Sequence, residues 1–133
     1  HQPPVGRVLH MVAGDAEVVA LDRDDQLACL RFAGGELLVP MHEEHPGQRL
    51  RCRIQARDVS LMRDEPQASS ILNLISAQVI EVGPCSHPAQ VLVRLDASGT
   101  PLLASITRRS ARALALQPGQ QVCAQVKAAA VLA

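Results

Sequence analysis

A repeated turn and strand constrain this chain more than any other feature. The segment HPGQRLRCRIQARDVSL (residues 45–61) returns as QPGQQVCAQVKAAAVL (residues 117–132). An offset of 72 aligns Pro46 with Pro118, Gly47 with Gly119, Leu50 with Val122, Ile54 with Val126, Ala56 with Ala128 and Val59 with Val131. Upstream, Gly6-Arg7-Val8 falls against Ala77-Gln78-Val79 at an offset of 71. Each half also holds two apolar runs around a glycine turn, LACLRFAGGELLVP (residues 27–40) and VLVRLDASGTPLLASI (residues 91–106). Self-similarity of this kind means one small unit used twice. The chain therefore reads as two lobes, residues 1–66 and 67–133, joined through the polar, proline-containing stretch Met62–Ser69.

Within each lobe the periodicity is that of strands. Leu50, Cys52 and Ile54 alternate with Arg49, Arg51 and Arg53, which predicts a strand with one wet face. Val91, Val93 and Leu95 alternate before a turn at Asp96–Gly99, and Ala33-Gly34-Gly35 is the matching turn of the first lobe. One short helix is expected, with Thr107 as N-cap and residues Arg108 to about Leu114, stopped before Pro118-Gly119. The first lobe has a loop, His42–His45, in its place. The expected class is all-β: two tandem OB-like small barrels with one short helix. A lobe of this size is marginal alone, so shared strands are expected, and Ser70–Val82 reads as one long strand able to cross between lobes.

Composition removes several function classes. Thirteen Lys and Arg balance thirteen Asp and Glu, and the aromatics amount to one Phe. Without net positive charge or stacking rings, no nucleic-acid partner is expected. No apolar run approaches the roughly 18–20 residues of a membrane span, and HQPPVGR lacks the regions of a signal peptide. The cysteines at 29, 52, 85 and 123 form no C-x-x-C pair, and read as thiols in a reducing compartment. There is no G-x-x-x-x-G-K-[ST], G-x-S-x-G, H-E-x-x-H or G-x-G-x-x-G, so neither a catalytic site nor a covalent cofactor is expected in these residues.

Three clusters have simple surface readings. His42-Glu43-Glu44-His45 has metal-binding residue types but precedes a Pro-Gly turn. Arg49, Arg51 and Arg53, like Arg108, Arg109 and Arg112, read as solvated cations. A fourth grouping is more pointed: Ser69-Ser70-Ile71-Leu72-Asn73 with Lys127-Ala128-Ala129. A small oxyanion needs hydroxyls, backbone N–H groups and a fixed cation, and Lys127 is the only lysine among the thirteen cations. The same residues also fit a turn entering a strand and a surface lysine.

QARDVSL (residues 55–61), SSILN (residues 69–73) and ITRRSARALALQPGQQVCAQVKA (residues 106–128) resemble the C-terminal domain of molybdate-importing ABC transporter ATPases, a pair of mop (TOBE-type) OB folds. LLVP followed by PGQRLRCRIQARDVSL is similar to the first lobe of such a domain. The resemblance implies a homodimer with molybdate or tungstate held at subunit interfaces. It assigns Ser69, Ser70 and Asn73 to the opening motif, and Lys127 with the backbone of Ala128 to the closing one. It also implies a cytoplasmic location, peripheral to the inner membrane through a preceding ATPase domain and permease subunits. Two positions depart from the pattern: Leu72 replaces an arginine, and Ala128, or Ala129 if the register shifts, a small hydroxyl residue. Gln55 occupies the place of Lys127 in the first lobe. The alternatives are a ligand-free dimerisation module, the TOBE domain of a sulfate or sugar importer, and a free-standing molybdate storage protein.

Overall fold

A computed structural model describes residues 11–64 and 69–132. Ten strands follow the expected alternation: β1 (Met11–Asp22), β2 (Leu27–Phe32), β3 (Gly35–Pro40), β4 (Arg49–Gln55), β5 (Val59–Met62), β6 (Asn73–Pro84), β7 (Gln90–Ala97), β8 (Thr100–Thr107), β9 (Gln121–Val126) and β10 (Ala130–Leu132). A 3-10 turn, Ala56–Asp58, links β4 to β5, and a helix, α1 (Arg108–Ala113), follows β8. The all-β class with OB-like sheets and one small helix stands as expected.

The repeat is visible down to single hydrogen bonds. Gly47 and Gly119 both take positive φ, 87° and 91°. Gly47 N–H donates to Val18 O at 2.7 Å, and Gly119 N–H to Val79 O at 2.7 Å. Val18 N–H returns a bond to Gln48 O, and Val79 N–H to Gln120 O. The β1 and β6 ladders both shift register just after these valines. Val18 is therefore the counterpart of Val79, not Val8: α1 and its flanks lengthen the second half, so no constant offset runs through the chain. Gly6-Arg7-Val8 itself lies outside the described residues, as does the point between residues 66 and 67.

The first sheet has the order β10-β4-β1-β2-β3 and the second β5-β9-β6-β7-β8. Each takes four strands from its own half of the sequence and a fifth from the other. Val59–Met62 pairs with β9 through Val59↔Val126 and Met62↔Cys123. Ala130–Leu132 pairs with β4 through Ala130↔Arg53 and Leu132↔Arg51. The crossings are made by these short strands. The long strand β6, expected as a crossing element, stays within the second sheet because both its edges are taken, by β7 and by β9.

The interior is continuous across the exchange. Leu37 and Ile54 belong to the first sheet but pack among Val59, Ile75, Val93 and Val126 of the larger core. Phe32 and Ala129 touch both apolar clusters. The helix lies on this core through Ala111 and Leu114. Thr107 caps it as expected, its Oγ1 accepting from Ser110 N–H at 3.0 Å. Ala115, at φ 51°, closes it: Leu116 N–H bonds Ala111 O and Ala115 N–H bonds Arg112 O, the Schellman pattern.

The hairpin tips interlock at Gly34. A Cβ there meets Phe32 Cε2 at 2.6 Å and the Ala97 backbone oxygen at 2.8 Å. Gly34→Ala is expected to cost about 1–3 kcal/mol, as overpacking does in a filled interior. Chemical denaturation of the two proteins checks this, and equal midpoints would mean that the tips are not in contact.

Candidate functional site

The exchange of strands builds the pointed grouping into one place. β9 ends at Val126, and residues 127–129 carry the chain across to β10. Lys127 N–H donates to Asp58 O at 2.7 Å, so this crossing is bonded to the one leading into β5. Asn73, the first residue of β6, pairs with Val126 in the ladder. Strand register thus sets the end of SSILN beside the start of VKA.

Together they line an open cup of about 340 Å³. Ser70, Asn73 and Lys127 supply its polar groups, and Leu27, Leu38, Leu72 and Val126 its apolar wall. Ser69 and Ala128 are exposed neighbours outside this lining. The Ser69 hydroxyl accepts from Ile71 N–H at 3.0 Å and so shapes the turn entering β6. Asn73 spends its carboxamide on the first sheet: Oδ1 accepts from Leu38 N–H at 2.7 Å and Nδ2 donates to Leu38 O at 3.0 Å.

Among the described residues lining the cup, the charged side chain is Lys127. The ion pairs among the described residues are Arg31–Glu36 and Arg94–Glu81, so no described carboxylate neutralises Lys127. Lys127 is itself exposed, so an anion entering the cup can reach its ammonium. Leu72 sits at the rim with 65% of its surface exposed. It offers neither charge nor donor.

The other candidates resolve into structure. Arg49 lies opposite Glu17 and Arg51 opposite Asp15 across β4 and β1. Glu17 faces Arg31, and Arg31 bonds Glu36 through Nε and Nη2 at 2.9 and 2.7 Å. This alternation of sign across the strands places Arg49 and Arg51 in a charge ladder, whereas Arg53 lies opposite Ala13 and Ala130, with no carboxylate in register. The hydrogen bond from Arg31, and then its charge, hold the Glu36 carboxyl below the usual carboxylate range. Glu44 takes both its oxygens to His42 N–H within the loop. Among the described residues, no three His, Cys, Asp or Glu side chains gather as a metal site. Burial pushes the Cys52 thiol up, in keeping with a small core residue.

The structure brings Ser70, Asn73 and Lys127 to one cup, and sequence reasoning did not foresee its opposite wall. Leu27 and Leu38 come from the first lobe, and only the strand register brings them there. A second cleft of about 240 Å³, lined by Phe32, Leu37, Ile54 and Leu102 among others, is mostly apolar. No helix among the described residues is long and apolar enough to cross a membrane.

Residues 69–133 match the TOBE domain family. The chain is 51% identical over 118 residues to the molybdenum import ATP-binding protein ModC 1 of Azotobacter vinelandii, an alignment covering 87% of this chain and 33% of that protein. It is 43% identical over 132 residues to the corresponding protein of Albidiferax ferrireducens, covering 99% of this chain and 34% of that one. The chain thus spans about a third of the length of the curated relatives it matches. Its fold is similar to that of the cytoplasmic molybdate-binding protein ModG in a crystal form with molybdate bound, with TM-score 0.80, 20% identity, and coverage of 95% of this chain and 96% of that one. At that identity the likeness concerns the fold.

Proposed function

The chain belongs to the TOBE-type domains of the molybdenum import ATP-binding proteins, and on that premise we propose that it is the regulatory oxyanion-binding part of such a protein. Its ligand is molybdate, with tungstate as the nearest analogue. The site comprises Ser69, Ser70, Asn73, Lys127 and the backbone of Ala128. The observation that carries the reading is the meeting of Ser70 and Lys127 in one cup, although they lie in separate sequence motifs.

Each group has a distinct task. Lys127 is the point charge for a tetrahedral dianion, and Ser70 donates a hydroxyl hydrogen to one of its oxygens. Ser69 fixes the turn that carries Ser70. The open side of the cup, rimmed by the exposed Leu72, is closed in this reading by a second copy of the chain. A ligand held across such a seam stabilises the paired arrangement by its differential affinity for that state. In a complete importer, on the cytoplasmic side, this couples molybdate level to the ATPase domain and the permease subunits.

The test is a calorimetric titration of the chain with molybdate, with Lys127→Ala beside it. Losing one charge-assisted hydrogen bond is expected to weaken binding by about 10- to 100-fold. Equal heats from the two proteins would remove Lys127 from the site. The exposed Leu72, in place of a cation, favours one second reading: a dimerisation module that has lost its ligand. A stable dimer giving no heat with molybdate would establish that reading instead.

A further inference from the structure

We propose that Asn73 is a positioning residue and not a ligand of the oxyanion: its carboxamide fastens the cup to the edge of the first sheet. The proposal rests on the oxyanion-site reading and deepens it. β3 is an outer strand of its sheet, paired to β2 on one side only. Successive residues of an antiparallel strand turn their N–H and C=O alternately toward one neighbour and the other. At Leu38 both groups turn away from β2 and meet Asn73, at 2.7 and 3.0 Å. A carboxamide has the donor and acceptor of a peptide unit, so Asn73 stands in for one residue of a missing neighbouring strand. It satisfies an edge that would otherwise need water or another chain.

Two consequences follow for the site. With Oδ1 and Nδ2 both committed to Leu38, Asn73 keeps one amide hydrogen at most for a ligand. Leu38 is itself part of the cup's wall, as are Ser70 and Lys127 from the second lobe. The clasp is thus a direct polar link between the two walls, and it sets their spacing. Releasing it leaves Ser70 and Lys127 in place but frees the Leu27–Leu38 side to move, which loosens the cup without removing a ligand contact.

The experiment combines amide hydrogen exchange with molybdate titration on the parent chain, Asn73→Ala, Lys127→Ala and Thr107→Ala. The last removes the α1 N-cap, outside the site, and controls for a general loss of stability. Asn73→Ala is expected to speed exchange at Leu38 N–H selectively and to weaken molybdate binding by about tenfold, the order seen when a supporting residue behind a ligand shell is lost. Thr107→Ala is expected to do neither. Faster exchange at Leu38 with unchanged affinity would overturn the positioning role while leaving the site intact. Weaker binding with unchanged Leu38 exchange would also overturn it, because Asn73 would then touch the ligand itself. A parent chain that binds no molybdate would overturn the site reading and this proposal together. Lys127→Ala, weakening binding without altering Leu38 exchange, separates loss of a ligand contact from loss of the clasp.

Discussion

Residues 69–133, produced without the first half, are expected not to fold in dilute solution. This piece contains the TOBE match but lacks β5, the strand that completes its sheet beside β9. It loses Val59 and Leu61 from the larger core, and with them Leu37 and Ile54, all four buried. At about 1.5–3 kcal/mol for each buried aliphatic side chain, the loss is on the order of 6–12 kcal/mol. That matches the roughly 5–15 kcal/mol by which a whole domain is stable. The bare edge of β9 would also leave backbone groups without partners, and β10 would have no β4 to join. Circular dichroism should show no cooperative melt for the piece alone, and recovery of strand signal when residues 1–68 are added. A cooperative melt of residues 69–133 near the parent midpoint would mean that the exchange of strands is dispensable.

Leu37→Ala is expected to unfold the molecule earlier as a single unit. Leu37 sits on β3 of the first sheet, is 2% exposed, and packs in the core of the second. Truncating a buried leucine leaves a cavity and costs about 2–5 kcal/mol, so the melting midpoint should fall by about 10 °C. One transition should remain, because the cavity lies where the two sheets share an interior. A calorimetric trace that splits, with only one part shifted, would show that the lobes melt independently.

These effects explain what the sequence revealed and what it withheld. Arg49–Ile54 announced β4 because one face is wet and the other buried, and alternation records that difference. Thr107 announced α1 because a hydroxyl cap leaves a local signature. The turns at Gly47 and Gly119 showed the repeat because the same positive φ is needed twice. The exchange of β5 and β10 left no such mark. A repeat whose units keep their own fifth strand and one whose units trade it carry the same residues at the same spacing. What separates them is which edge the strand meets, a non-local matter. For the same reason the length and apolarity of Ser70–Val82 suggested a crossing made in fact by the shorter segments. The repeat offset misled at Val8 because α1 adds residues to one half only.

The cup divides along the same line. Serines before a strand and a lysine after one are local features, and they were legible as a pair of motifs. The role of Asn73 was not, because its partner Leu38 is selected by tertiary register. Leu27 and Leu38 look like ordinary strand leucines until the second lobe is set against them.

The central claim is that an oxyanion is held where the second sheet's opening and closing segments meet the edge of the first. Titrating isotope-labelled chain with molybdate, and following backbone amide resonances, tests this most directly. The expected result is saturable change at Ser69, Ser70, Lys127 and Ala128, with a smaller change at Leu38 and little at Arg49–Arg53. Saturable change confined to other residues, or spectra indifferent to the anion, would contradict it.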